Sequence, residues 1–348
     1  MEPTRFEEQL LVSSSLAYIN SINSLVAEMV VERKTTKKTS KDIYAPLNSA
    51  VKNQVIRDAK SVFQRAKETE FSIVPVLKKP VIIWNNQNFT VTPTHVSMPF
   101  IVDGKSKKIA IRAIISQHEL ALFTQAVKIG TLRVTKKGHK WMAQIAIELP
   151  TTESTNTKVM GCDLGIKVPA VCVTDEGAVK FCGNGRMNKY VRRYHNQRRK
   201  ELGKAKKLDA IKKSQDKEQR WMKDQDHKIS REIINFAIEH QVGTIRLERL
   251  SGIRKTTRKS RKNNHSLNNW SFYRLAQYIE YKANIVGIKV EYVNPSYTSQ
   301  RCPNCGELNH AQDRKYHCSN CQEDKHRDLV GAFNIIYAPV LSGNSLTA

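Results

Sequence analysis

The sequence predicts a protein in which a helical segment and a β-rich segment precede an α/β domain. Apolar residues recur at helical intervals over residues 4–68, and short β-branched runs broken by Pro, Gly and Asn fill residues 69–150. From residue 159 strand-like and helical segments alternate. A length of 348 residues suits two or three domains.

The first segment is predicted to form two helices, separated by the polar basic stretch ERKTTKKTSKD. The second helix would place apolar side chains on one face and Lys and Arg on the other, the apolar ones being Val51, Val55, Ala59, Val62 and Phe63. Such a helix can pack on a partner domain and present charge to a phosphate backbone. A solvated charged face explains the same pattern equally well.

Residues 69–150 are predicted to form an all-β unit, either a small barrel or a sandwich. Its runs are FSIVPVL, PVIIWN, FTVTPTHVSMPFIV and KKIAIRAII, followed by a hairpin about Lys137 and Gly138. The polar stretch TTESTNTK at 151–158 is predicted to be a linker.

The remaining elements are predicted in the order β-β-β-α-β-α-β-α. The strands are VMGCDLGIK, PAVCVT, AVKFC, VGTIRLERL and IKVEYVN, and the last helix runs from about Arg327 to Tyr337. This is the order of the α/β ribonuclease H-like fold, in which three antiparallel strands precede helices that alternate with two further strands.

Three acids occupy special positions in that fold. Asp163 lies in the first strand, Glu248 in the fourth, and Asp328 at the start of the last helix. These strands are expected to be neighbours with the helix across them, so the side chains would converge. Acids that meet in an apolar sheet repel one another unless cations neutralise them, and hard oxygen ligands favour Mg²⁺ or Mn²⁺. Two such ions about 4 Å apart can promote phosphodiester hydrolysis.

Each acid also has a purely structural interpretation. Asp163 could be a turn residue, and Asp328 could cap its helix. Glu248 could pair with Arg246 or Arg249. Their joint occurrence at the expected places favours the metal site.

Four cysteines have the spacing C-x2-C-x12-C-x2-C, which is typical of a structural zinc site. They are Cys302, Cys305, Cys318 and Cys321, and two disulfides are the alternative. The other three cysteines lie in strand-like runs and are interpreted as buried thiols, which together with the spacing favours a reducing, cytoplasmic compartment. Four thiolates leave zinc no open position, so this site would hold shape and take no part in hydrolysis.

The charge indicates a polyanionic partner. Lys and Arg number 58 against 32 Asp and Glu, which gives a net charge of +26. A ribosomal-type binder or a membrane-surface protein is the alternative, and no membrane span is expected. The basic segments 186–213 and 254–262 predict phosphate contacts, namely Arg192, Arg193, Arg198, Arg199, Lys200, Arg254, Lys255, Arg258, Lys259 and Arg261.

Several ordered motifs carry a family resemblance. GCDLGIK, DHKISREIINFAIEHQVGTIRLERLSGIR, GIKVEYVNPSYTSQRCPNCG and CSNCQEDKHRDLVGAFNI resemble the transposon-encoded TnpB proteins, which are related to compact type V CRISPR nucleases. The resemblance covers about residues 159–340 and extends more weakly over the front half. Family members usually have a strand ahead of the segment that corresponds to PTRFEEQLL, which this sequence lacks, so we expect a wedge that is either incomplete or built differently.

The resemblance implies an RNA-guided DNA endonuclease whose RuvC nuclease domain carries a zinc-binding insertion. Guide RNA and target DNA, double- and single-stranded, would be its partners, and Mg²⁺ or Mn²⁺, Zn²⁺ and guide RNA its cofactors. By motif match, Asp163, Glu248 and Asp328 would be catalytic, and the four cysteines would bind zinc.

It also implies a five-part layout: a helical recognition segment (1–68), a wedge-like domain (69–157), the nuclease domain (158–299 and 326–348) and the zinc-binding insertion (300–325). A monomer in the cytoplasm of a prokaryote, near the nucleoid, is expected. An RNA-guided DNA-binding protein or repressor without useful cleavage, and a DNA strand-transfer transposase, are the alternative functions.

Overall fold

The computed structural model describes residues 1–150, 154–250, 272–311 and 313–341, without the side chains of residues 215–216. The chain forms two compact units, Met1–Pro150 and Thr151–Ala348. The division into five parts that the resemblance implies stays a prediction.

The first unit begins with two helices, α1 (Arg5–Glu32) and α2 (Ser49–Glu68). Thr4 and Glu7 form a reciprocal capping box that fixes the start of α1. By length and composition α1 would suffice to cross a membrane, although no membrane span was expected from the sequence. In the unit it packs against α2, and 44% of its most apolar window is buried. A helix of a protein core meets the same test.

Two three-stranded sheets complete the first unit. One has the order β1-β5-β6, from β1 (Val81–Trp84), β5 (Lys128–Lys137) and β6 (Lys140–Glu148). The other has the order β2-β3-β4, from β2 (Thr90–Val91), β3 (His95–Val102) and β4 (Lys105–Arg112). The predicted hairpin about Gly138, whose φ is 61°, is confirmed.

Two expectations for the β-rich segment were wrong. It is not all-β, because α3 (Gln117–Gln125) follows β4 with a capping box between Ser116 and Glu119. The run FSIVPVL forms no strand, and the chain leaves α2 through left-handed backbone at Glu70 and Phe71. The helices and strands share one core, in which Tyr18, Trp84 and Trp141 are almost fully buried.

The second unit contains a five-stranded sheet of order β11-β10-β7-β8-β9. Its strands are β7 (Lys158–Leu164), β8 (Ala170–Thr174), β9 (Val179–Cys182), β10 (Val242–Glu248) and β11 (Lys289–Val293). The first three are antiparallel, whereas β10 is parallel to both β7 and β11. This is the predicted ribonuclease H-like topology.

Helices cover both faces of this sheet. The helices α5 (Leu208–Glu239) and α6 (Phe272–Ile285) cover one face and α7 (Arg327–Tyr337) covers the other, while α4 (Gly185–Lys204) packs against α5. The single helical element predicted between the third and fourth strands is therefore two helices, α4 and α5. Ile233 of α5 and Ile279 of α6 pack in one core with Cys172 of β8, while Val171 packs in a separate core with Ala332 of α7. Alternate residues of β8 thus face α5 and α6 on one side and α7 on the other.

The segment between β11 and α7 carries the four cysteines. It contains a short antiparallel hairpin, β12 (Lys315–His317) and β13 (Asp324–His326). The hairpin leads directly into α7, so the cysteine segment ends where Asp328 begins its helix.

Candidate active site and metal centre

Strand register and one helix bring the three predicted acids to the same edge of the sheet. Asp163 is near the end of β7, and Glu248 is the last residue of β10. Because Leu247 pairs with Cys162 in the parallel register, Glu248 lies next to Asp163. Asp328 lies in the first turn of α7, the helix that packs across β7 and β8.

Two glycines allow α7 to approach the sheet this closely. A Cβ atom on Gly161 would lie 1.9 Å from the carbonyl oxygen of Ala332. A Cβ atom on Gly331 would lie 2.9 Å from Oδ2 of Asp163. The first glycine lets the helix backbone reach β7, and the second leaves room for the Asp163 carboxylate.

Asp163 is held in an unfavourable environment for a negative charge. Burial raises its pKa well above the ordinary value, and the charges of Glu248 and Asp328 raise it further. Arg314 and Arg327 act in the opposite direction. Asp163 as a whole residue is half-buried.

Glu248 accepts a hydrogen bond from the Thr298 hydroxyl. Burial raises the pKa of Glu248, and this hydrogen bond lowers it. Arg246, one of the partners considered for Glu248, instead pairs with Glu291, with 3.0 Å between Nε and Oε2.

Asp328 combines one paired oxygen with one unpaired oxygen. Its Oδ1 accepts a hydrogen bond from Arg314, while its buried Oδ2 has no hydrogen-bond partner among the described residues. The helix cap is His326, whose Nδ1 accepts from the Asp328 backbone N–H at 3.3 Å. A buried carboxylate oxygen without a donor is costly, and a bound cation would satisfy it. The residues present therefore fit a divalent metal.

The cysteine segment reaches this site through two adjacent side chains. Arg314 pairs with Asp328, and Asp313 accepts from Lys167, with 2.6 Å between Oδ1 and Nζ. Lys167 lies in the loop that follows β7. The segment is therefore linked both to the third acid and to the loop just after the first.

The four predicted cysteines lie together. Their sulfur atoms are all within 4.8 Å of one another. The four side chains are therefore close enough to bind a single metal ion. The Cys302–Cys321 and Cys305–Cys318 sulfur pairs are 3.6 and 3.5 Å apart. Tetrahedral zinc with 2.3 Å bonds needs sulfur atoms about 3.8 Å apart, so the cluster fits zinc.

The cysteines do not form the alternative disulfides. All seven are free thiols, and Cys162, Cys172 and Cys182 are buried in the sheet as predicted. Hydrogen bonds from the backbone N–H groups of Cys321 and Asn320 lower the pKa of Cys318 to about 6, whereas burial raises the pKa of Cys321 to about 12.

The predicted phosphate contacts divide into three groups. Arg199 is bound within the unit, 2.6 Å from Glu218 of α5, and burial lowers the pKa of Arg192 on the same side of α4. Three of the predicted phosphate contacts are exposed, namely Arg193, Arg198 and Lys200. Nη1 of Arg198 lies 3.9 Å from Oε2 of Glu201. The remaining five, Arg254, Lys255, Arg258, Lys259 and Arg261, lie outside the described residues.

Sequence reasoning missed three residues of this site, namely Thr298, Arg314 and Gly331. Thr298 and Arg314 reach the acids from a connection and an insertion that have no regular hydrophobic period. Gly331 had a detectable pattern, since a glycine inside the apolar helix pattern DLVGAF indicates a close approach.

The fold resembles that of solved nucleases. A chain of the Cas12f1–sgRNA–target DNA complex superposes with a TM-score of 0.66 at 19% sequence identity, covering 94% of this chain and 81% of that chain. This similarity supports the fold of the whole chain.

Two family models match the second unit and its boundary. The model described as a probable transposase matches residues 142–254, and the Cas12f1-like TNB domain matches residues 272–335. A TnpB-like protein of Methanocaldococcus jannaschii is 43% identical over 121 residues, which covers 34% of this chain and 43% of that protein. These matches support a relationship of this chain to the TnpB family.

Similarity to two CRISPR-associated proteins extends further along the chain. The Cas12f1 endodeoxyribonuclease of Sulfoacidibacillus thermotolerans is 28% identical over 259 residues, covering 69% of this chain and 58% of that protein. The Cas12f1 endodeoxyribonuclease of Syntrophomonas palmitatica is 31% identical over 249 residues, covering 66% of this chain and 49% of that protein. The chain spans about half the length of the curated relatives it matches.

Proposed function

We propose that this protein is an RNA-guided endonuclease that hydrolyses phosphodiester bonds in target DNA at Asp163, Glu248 and Asp328. The observation that carries the proposal is the approach of three acids at one edge of a ribonuclease H-like sheet, where two of them raise the pKa of the third. The relatives named as endodeoxyribonucleases, and the solved complex with sgRNA and target DNA, support it.

The three acids would hold Mg²⁺ or Mn²⁺. The unpaired Oδ2 of Asp328 and the repulsion around Asp163 support this choice, because hard oxygen ligands suit these ions. An ion bound there would supply Lewis-acid activation of water and stabilisation of the leaving oxygen.

Other side chains of the site would orient the acids and offset their charge. The Thr298 hydroxyl directs the Glu248 carboxylate through its hydrogen bond. The guanidinium groups of Arg314 and Arg327 stabilise the ionised form of Asp163. We propose that they also offset the charge of a phosphate that approaches the acids.

Guide RNA and target DNA would be held mainly through their phosphates. The net charge of +26 supports a polyanionic partner, and Arg193 and Lys200 project from α4 into solvent. Base pairing by the guide would provide most of the sequence specificity. The four cysteines would bind a zinc ion that holds the insertion, and with it Arg314, in place.

The test is to purify the protein with its co-expressed RNA, sequence that RNA, and incubate the complex with matching DNA in Mg²⁺. We expect a discrete RNA and cleavage of the matching DNA only. A DNA whose sequence does not match the RNA is the control. Purification without any discrete RNA, or equal cleavage of both DNAs, would refute guidance.

Two other functions have an observation in their favour. The ion pair of Arg314 with Asp328 engages one of the acids, which suits a guided DNA-binding protein that does not cleave. The description of one matching family as a probable transposase suits strand transfer. Occupied but uncut target would favour the first, and joining of DNA strands without RNA would favour the second.

A further inference from the structure

We propose that Asn309 is a positioning residue of the four-cysteine site, which donates a hydrogen bond to one thiolate and connects two cysteine loops. The first loop is Cys302–Cys305 and the second is Cys318–Cys321. Asn309 lies between them in the chain, outside both Cys-x-x-Cys motifs. This inference rests on the proposed zinc binding and is independent of the proposed nuclease activity.

The hydrogen bonds of the Asn309 amide fix which end faces the sulfur. Oδ1 accepts from the backbone N–H of Ser319 at 3.0 Å and from its hydroxyl at 2.8 Å. A backbone N–H can only donate, so the oxygen must face Ser319. The Nδ2 group then faces the carbonyl oxygen of Glu307, which can only accept, at 3.3 Å, and Sγ of Cys318 at 3.4 Å.

The surroundings of Asn309 leave its side chain little freedom. Its backbone N–H donates to the carbonyl oxygen of Gln300 at 2.9 Å. The same carbonyl accepts from the hydroxyl of Tyr316 at 3.1 Å, and Nδ2 of Asn309 lies 3.3 Å from that hydroxyl. Tyr316 is only 1% exposed, so its ring forms a rigid support. The amide is thus held before a metal binds.

This arrangement has two consequences for a metal held by the cysteines. An N–H group that points at a sulfur atom stabilises the thiolate over the thiol, because it offsets the negative charge. The bonds to Ser319 also hold the second loop against the segment that follows the first. Partners of this kind typically change metal affinity by about 10–100-fold when they are removed.

The experiment uses the full, zinc-loaded chain and two substitutions. Asn309→Ala removes every side-chain bond, whereas Asn309→Asp keeps the shape and the acceptor for Ser319 but loses the N–H donors. The control is Lys315→Ala, because Lys315 is exposed in the same cysteine segment and its side chain makes no hydrogen bond to any of the described residues. The measured quantity is the rate at which zinc passes from the protein to an excess of a chromogenic chelator.

We expect zinc release about tenfold or more faster in Asn309→Ala and Asn309→Asp, with release from Lys315→Ala equal to that from the unsubstituted chain. After replacement of zinc by Co²⁺, the thiolate-to-metal charge-transfer absorption should shift in both Asn309 variants and stay unchanged in the control. If Asn309→Ala does not fold, Asn309→Asp decides alone.

The inference would be overturned if the Asn309 variants released zinc at the same rate as the control and had the same Co²⁺ charge-transfer absorption. Neither readout involves nucleic acid, so a chain that retains zinc but cleaves nothing would refute only the nuclease proposal. An unsubstituted chain that binds no zinc would refute the zinc site itself, and this inference with it.

Discussion

Gly331 offers a sharp test of the candidate active site, because its substitution should affect cleavage far more than folding. In Gly331→Ala the added Cβ would lie 2.9 Å from Oδ2 of Asp163, whereas ordinary contact begins at 3.4 Å. The carboxylate must therefore move by about 0.5 Å, which is the tolerance within which catalytic groups need to be held. Since larger displacements of about 1 Å can cost 100-fold, we expect a single-turnover cleavage rate lower by about tenfold or more.

The same substitution should change stability little. Replacement of a helical glycine by alanine favours the helix by about 1 kcal/mol, which offsets part of the cost of the contact. Gly203→Ala in α4 is the control, because among the described residues its Cβ would meet only Cδ1 of Ile211, at 3.8 Å. It should stabilise the chain slightly and leave cleavage unchanged. Cleavage by Gly331→Ala at the control's rate would show that the position of Asp163 is unimportant.

Three further predictions concern the fold and its metal sites. Gly161→Ala should destabilise the chain by about 3 kcal/mol or prevent folding, because its Cβ would lie 1.9 Å from a backbone oxygen of α7. Unfolding in urea measures this change, and a decrease in the free energy of unfolding of less than about 1 kcal/mol would contradict the prediction. Since the pKa of Asp163 is raised in the fold, its contribution to stability is complete below about pH 4 and is lost as the pH rises. Without metal, Asp163→Asn should thus melt at a higher temperature than the unsubstituted chain at pH 7 but not at pH 4, and a constant difference would argue against this. Removal of zinc by a chelator should lower the melting temperature and make the four clustered thiols reactive while the three buried in the sheet stay protected; unchanged thiol reactivity would refute the zinc site.

The sheet and its acids were predictable because each leaves a local pattern. Glu248 is conspicuous as an acid near the end of the apolar strand VGTIRLERL, and Asp328 follows the second cysteine pair in a motif typical of the family. The order of strands and helices then sufficed to place these residues beside Asp163. Their catalytic role stays a prediction.

Interactions between distant segments could not be predicted in this way. Arg314 meets Asp328 only because the cysteine segment folds back on α7, and no local pattern encodes that path. Arg199 was predicted to contact phosphate, but it meets Glu218 once α4 and α5 pack together. Helix α3 differs from these cases, because Ser116 and Glu119 form an S-x-x-E pattern that the β-branched surroundings concealed.

Cleavage and binding of matched DNA by the Asp163→Asn complex, measured in the same samples, test the central claim most directly. The complex is purified with its own RNA and compared with the unsubstituted complex in Mg²⁺. We predict that Asp163→Asn binds the target with unchanged affinity and does not cut it, because the substitution removes a metal ligand and leaves the nucleic-acid contacts intact. Cutting by Asp163→Asn at the unsubstituted rate would contradict the assignment of the three acids as the active site.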